Sequence, residues 1–189
     1  MRFSKPPLPN TWAGKMAFTR TPRPALAAGL FLLAAPAAAQ PVFSDSFDNT
    51  PSPLWSNQRG AWTVSGGEYF ATAPANSPPT VTLLPFVLGD FDLEVDVRAV
   101  SDGGVWIHTD AEVDNAILLV TGGDLRTGRG FYWHTIRDGV ASGFLNRTGD
   151  LFRQGDDIHI RLSARGDTYA VYLNGSPSPA STLSAPGFP

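Results

Sequence analysis

Residues 90–99 read DFDLEVDVRA. In an extended chain Phe91, Leu93, Val95 and Val97 fall on one side, and Asp92, Glu94, Asp96 and Arg98 fall on the other. So strict a period of two predicts a β-strand with one face on a core and one in water. A helix would scatter the same carboxylates around its circumference.

The same signature recurs on both sides of this stretch. Downstream, residues 158–162 (IHIRL) alternate, Gly166-Asp167 marks a turn, and 169–173 (YAVYL) follow. Asp138-Gly139 and Asn174-Gly175 are signals for type I′ turns, whose two central residues need positive φ. Residues 105–108, 115–121 (NAILLVT) and 131–137 (FYWHTIR) read as strands, and 143–147 as another. In 131–137 the parity stays open, because Phe131 and Trp133 compete with Tyr132 and Ile136 for the core. Upstream, 42–47 is a short strand, 62–64 and 68–70 form a hairpin across Gly66-Gly67, and 81–84 is a short apolar strand closed by Pro85. The sum is about ten to twelve short strands and no helical period, which predicts an all-β sandwich or barrel.

The first 39 residues read differently. Residues 25–35 (ALAAGLFLLAA) are an unbroken apolar run, preceded by Arg2, Lys5, Lys15, Arg20 and Arg23, and followed by Ala37-Ala38-Ala39. That is a signal peptide with Gln40 as the mature start, and Met16 gives it more usual proportions than Met1. The run is shorter than the ~20 residues of a membrane span, so no insertion is expected once the leader is cut. The predicted product is secreted, periplasmic or displayed on the cell surface. Of the fourteen basic residues five precede Gln40, and none of the seventeen acidic ones does; nine against seventeen leaves −8. An acidic domain without lysine is a poor partner for nucleic acid or anionic lipid. There is no cysteine, hence no disulfide framework, thiolate metal site or thiol nucleophile.

Several pieces in order resemble a known group: Phe43-Ser44-Asp45-Ser46-Phe47-Asp48, the 91–98 strand, Gly103-Gly104-Val105-Trp106-Ile107, Asn115-Ala116-Ile117-Leu118-Leu119, and Ile160-Arg161-Leu162 followed by 168–175 (TYAVYLNG). Over residues 42–189 they resemble the laminin-G-like, concanavalin A-like lectin/glucanase jelly roll of exported bacterial proteins. The resemblance implies a two-sheet antiparallel jelly-roll sandwich over 40–189, with ligands on a concave face or loop rim. Domains of that type usually continue past a Phe-Pro such as Phe188-Pro189 into a strand that returns beside the first one. Its absence here is read as a truncated last strand, which would leave unpaired sheet edges.

Three candidate chemistries follow. Glucanases of the resembled group carry Glu-x-Asp-x and a closing Glu on one strand, and here Glu94-Val95-Asp96-Val97-Arg98 ends on an arginine. An arginine cannot protonate a leaving group, so catalysis is the minority reading and an amphipathic strand accounts for the pattern. Trp106 with His108, and Tyr132 with His134, share strand faces by alternation; Asn115 and Arg137 could join them. Aromatic rings beside a few polar groups are what a carbohydrate site uses, and polysaccharide or a cell-surface glycan is the expected partner. Asp102, Asp110, Asp114 and Asp124 lie in or near loops and are candidate Ca²⁺ ligands, without any EF-hand spacing. The three histidines lack zinc-ligand spacing. The reading that best accounts for the whole is an exported, non-catalytic carbohydrate-binding or adhesion module, with a glycoside hydrolase-like enzyme or a protein-interaction domain as the alternatives.

Overall fold

The computed structural model describes residues 16–19, 41–122 and 129–188. In chain order the strands are β1 Met16–Thr19, β2 Pro41–Asp45, β3 Ser56–Arg59, β4 Ala61–Ser65, β5 Glu68–Thr72, β6 Val81–Leu83 and β7 Phe91–Val97. They continue with β8 Gly104–Ile107, β9 Ala116–Val120, β10 Tyr132–Arg137, β11 Val140–Ala141, β12 Ile158–Arg165, β13 Thr168–Leu173 and β14 Ser181–Ser184. A six-stranded sheet runs β14-β13-β12-β7-β1-β2, and a four-stranded sheet runs β11-β10-β9-β8. The pairs β3–β6 and β4–β5 are separate two-stranded ribbons, and every pairing is antiparallel. This is the expected jelly-roll type of sandwich.

Alternation places the core between the two sheets. On β7 Phe91, Leu93, Val95 and Val97 are buried, as are Ile158, Ile160, Leu162 and Ala164 of β12. Register makes these into continuous rows: Leu93 lies opposite Leu162, which lies opposite Val171. The second sheet meets them with Val105, Ile107, Ile117, Leu119 and Trp133. Trp133 is fully buried, which resolves the parity of β10: Phe131 and Trp133 face the core, and Tyr132 and His134 face away. The Trp133 Nε1–H donates to Ser181 Oγ on β14 at 3.0 Å, and Ser181 Oγ donates to the Asn146 carbonyl at 2.8 Å. The indole thus ties one sheet to the edge of the other and satisfies its own buried donor.

Turn chemistry behaves as the sequence implies. Asp138 and Gly139 take φ of 50° and 74°, joining β10 to β11, and Gly66-Gly67 take 62° and 77° between β4 and β5. Three elements depart from expectation. Residues 143–147 contribute only an isolated bridge, Trp133 to Leu145, because β11 has already ended at Ala141. Phe47 is not in β2; it turns at φ 54° so that its ring stacks on Tyr69 at 5.2 Å. Asn174-Gly175 does adopt positive φ but leads into a longer excursion before β14.

The position between β2 and β7 is held by β1, whose residues the sequence assigns to the leader. Met16, Ala17 and Phe18 pair with Asp45, Ser44 and Phe43 on one side, and with Val95, Glu94 and Leu93 on the other. The rest of the proposed leader, 1–15 and 20–39, lies outside the described residues. At the other end Phe188 is buried in the core, and the Arg137 guanidinium sits 4.2 Å from its ring centroid.

Because Trp133 fills the centre of the sandwich, Trp133→Ala is expected to cost about 3–5 kcal/mol of stability. Urea unfolding of the parent and variant measures it. A loss below about 1 kcal/mol would mean that the indole does not bridge the layers as described.

Candidate functional site

The face of the four-stranded sheet that points away from the core is not a charged surface. Trp106 on β8, Leu118 on β9 and His134 on β10 are consecutive partners across the ladder and form one row. Tyr132 is two residues before His134 on the same face, and their rings meet edge-on at 5.3 Å. Phe144, 58% exposed, closes against both, 4.8 Å from Tyr132 and 5.6 Å from His134. Arg147 lies 5.6 Å from the Phe144 centroid. Neither Leu118 nor Phe144 stands out in the sequence. Leu118 is concealed in the apolar run AILLV, and Phe144 sits on a segment without regular pairing.

This face forms one wall of a cavity of about 1320 Å³ that continues around the β8 edge. Trp55, Trp62 and Phe86, from the segment between β2 and β7, also line it. Trp55, Trp62 and Tyr69 pack as a second aromatic cluster, with centroids 5.4 and 5.2 Å from Tyr69. Burial raises the Tyr69 phenol above its ordinary value. β8 is the last strand of its sheet, so the cavity has an unpaired strand along one side.

The six residues singled out from sequence all line this cavity, but they do different work. Trp106, Tyr132 and His134 present the aromatic face. His108 departs from expectation: it does not share the face of Trp106. Its φ of 49° breaks the alternation at the end of β8 and turns the ring inward. There it packs 5.6 Å from Tyr169 and 6.0 Å from Phe91, above the small Ala164 that lies between them in register. Burial lowers its pKa from the ordinary 6.5, and its Nε2 is enclosed without a partner. Asn115 braces a turn, donating Nδ2–H to Asp110 at 2.9 Å and accepting the Asp138 N–H at 3.2 Å. Arg137 is spent on Phe188 and on the Pro186 carbonyl, 3.2 Å away.

Among the described residues no three His, Asp or Glu side chains converge to hold a metal ion. Asp110 accepts the N–H groups of Asp114 and Asn115 at 2.7 and 3.0 Å besides the Asn115 amide. These bonds, the Asn115 side chain first, hold its carboxyl below the usual value. Its oxygens are therefore committed to a turn, which does not fit a calcium cage needing six to eight oxygens. Asp102 lies against Gly122, and Asp114 against Gly139. Asp124 falls outside the described residues.

The carboxylates of β7 stand on the outer face of the other sheet. Asp92 meets Arg165 at 2.6 Å and Arg161 at 3.6 Å, and Arg161 covers the Tyr172 ring at 3.7 Å. Asp96 pairs with His159 at 2.8 Å, and Arg98 with Glu68 at 3.2 Å. The Asp96 and Arg98 pairs are largely exposed and contribute little each, whereas the Asp92 carboxylate is only 16% exposed beneath its two arginines.

No protein-family model matches the chain, and no curated protein matches it. A solved structure does: the carbohydrate-binding module CBM66 from Bacillus subtilis, with a TM-score of 0.52 over 69% of this chain and 88% of that one. The two are 14% identical, so the likeness is one of fold. The chain is a jelly-roll-like β-sandwich. The narrower resemblance to laminin-G-like and concanavalin A-like domains is not distinguished by this match.

The buried His108 gives the sandwich an acid-sensitive point. Its folded pKa is depressed, so the unfolded chain takes up the proton first. Stability is expected to be intact above about pH 6.5, to fall as the pH drops from there toward the lowered folded value, and not to recover below it. Chemical denaturation across this range should show that component disappearing in His108→Phe. An unchanged pH profile in the variant would assign the acid sensitivity elsewhere.

Proposed function

We propose that this protein is an exported, non-catalytic carbohydrate-binding module that takes its ligand on the outer face of the four-stranded sheet. The observation that carries the reading is the Trp106–Leu118–His134 row, with Tyr132 and Phe144 beside it, opening on a large cavity. Sugar rings have apolar C–H faces that stack on aromatic side chains and hydroxyls that need a few placed polar partners. This face supplies both. The fold it shares with a carbohydrate-binding module supports the same reading, although one fold hosts many functions. The expected ligand is a polysaccharide or cell-surface glycan, and the apolar run 25–35 followed by Ala37-Ala38-Ala39 supports export. Kinship with laminin-G-like lectin domains belongs to the same reading.

The enzyme alternative has less behind it. Glu94 and Asp96 stand on the outer face of the six-stranded sheet, away from the aromatic cavity, and Asp96 is engaged by His159.

The test is thermal unfolding of the full chain with a panel of soluble neutral polysaccharides. A ligand that binds only the folded state at about 100 times its Kd adds about 2.7 kcal/mol and raises Tm. One polysaccharide is expected to raise Tm, and Trp106→Ala, whose side chain lies outside the core, is expected to abolish the shift without lowering the unliganded Tm by much. A shift that survives Trp106→Ala would move the site elsewhere. A chain whose Tm no glycan moves, but which captures protein partners, would favour the interaction-domain reading.

A further inference from the structure

The Trp106–Leu118–His134 row has a fixed chemical polarity. His134 Nδ1 lies 2.7 Å from the Ser142 carbonyl oxygen. A carbonyl can only accept, so Nδ1 carries the proton. In the neutral imidazole Nε2 is then a lone-pair acceptor. It has no partner among the described residues, and it is not enclosed as His108 Nε2 is.

Ser142 is itself anchored. Its N–H donates to the Thr135 carbonyl at 2.8 Å, and its Oγ accepts the Thr135 N–H at 3.0 Å. The Asp138-Gly139 hairpin thus sets the carbonyl, the carbonyl sets the tautomer, and Tyr132 and Phe144 wedge the ring. At the other end of the row Trp106 Nε1–H is a donor only, and no partner meets it among the described residues. Leu118 lies between them, one strand spacing of about 4.8 Å from each. An acceptor and a donor therefore flank an apolar floor.

We propose that this row selects a neutral saccharide ring, with one hydroxyl donating to His134 Nε2 and a second ligand oxygen accepting from Trp106 Nε1–H. The inference rests on the carbohydrate reading above and adds its polarity. A carboxylate or sulfate group placed at Nε2 has no proton to give, so its oxygen would meet the lone pair of the neutral imidazole with repulsion. Asp102, Asp110 and Asp114, which line the same cavity, disfavour an anion further.

The experiment uses the full chain with ¹⁵N-labelled histidine and tryptophan. It is titrated with glucose, galactose and mannose, and with glucuronate and galacturonate. At least one neutral hexose is expected to shift His134 Nε2 while Nδ1 keeps its proton, and the uronates are expected to bind more weakly. His134→Phe keeps a ring against Tyr132 and Phe144 but removes the acceptor; it should weaken hexose binding about tenfold. A Tm measured on the same variant separates lost affinity from lost fold.

If hexose moves the Trp106 indole N–H but leaves His134 Nε2 unchanged, the proposal is overturned while the carbohydrate reading stands. It is overturned in the same way if uronates bind as tightly as hexoses, or if His134→Phe binds as the parent does. If no sugar of the set shifts either side chain, the proposal also falls, and Trp106→Ala on the polysaccharide panel decides the broader reading alone.

Discussion

Everything in this molecule depends on the contact between the inner faces of the two sheets. Leu93, Val95, Ile160 and Leu162 on one side meet Ile117, Leu119 and Trp133 on the other, all buried. A sheet has one apolar face and must cover it, and here each sheet is the other's cover. The alternation that creates this contact also dictates what is left outside. On the six-stranded sheet the outward positions of β7 are Asp92, Glu94 and Asp96; on the four-stranded sheet they are Trp106, Leu118, Tyr132 and His134. One sandwich therefore has a charged back and an aromatic front, and the front cannot be explained by burial in the core.

The sheet architecture was legible because its signals are local. DFDLEVDVRA, IHIRL and the Asp138-Gly139 turn each contain their own reason, a period of two or a pair of residues that tolerate positive φ. What could not be read was decided by distant contacts. Nothing near Phe144 says that it will close on Tyr132, and nothing in SNQR announces that β3 will find β6. Residues 143–147 have a strand-like pattern, yet they form no regular ladder with β10 and pair with it in the isolated Trp133–Leu145 bridge.

The candidate site was legible in part for the same reason. Trp106, Tyr132 and His134 obey alternation, so their common face could be read from spacing. His108 obeys it too on paper, and the chain overrules it with one left-handed residue. A non-glycine residue held at positive φ costs energy. Here the burial of an imidazole over Ala164, between Phe91 and Tyr169, goes with that cost. Asn115 and Arg137 are polar and close to the cavity, but each is occupied by a turn or by Phe188. Residue type and proximity do not by themselves distinguish a binding group from a brace; hydrogen-bond accounting does.

β1 bears on how the sheet is held together. It lies between β2 and β7, yet it is joined to β2 by residues 20–40, far longer than a hairpin turn. The continuity of the six-stranded sheet thus runs through a four-residue strand whose covalent tether is a long connector. While that covalent connection is intact, the strand meets its place as part of the same molecule. Once it is cut, occupancy becomes a question of mass action between a short peptide and a groove, and the sheet's integrity becomes dependent on concentration.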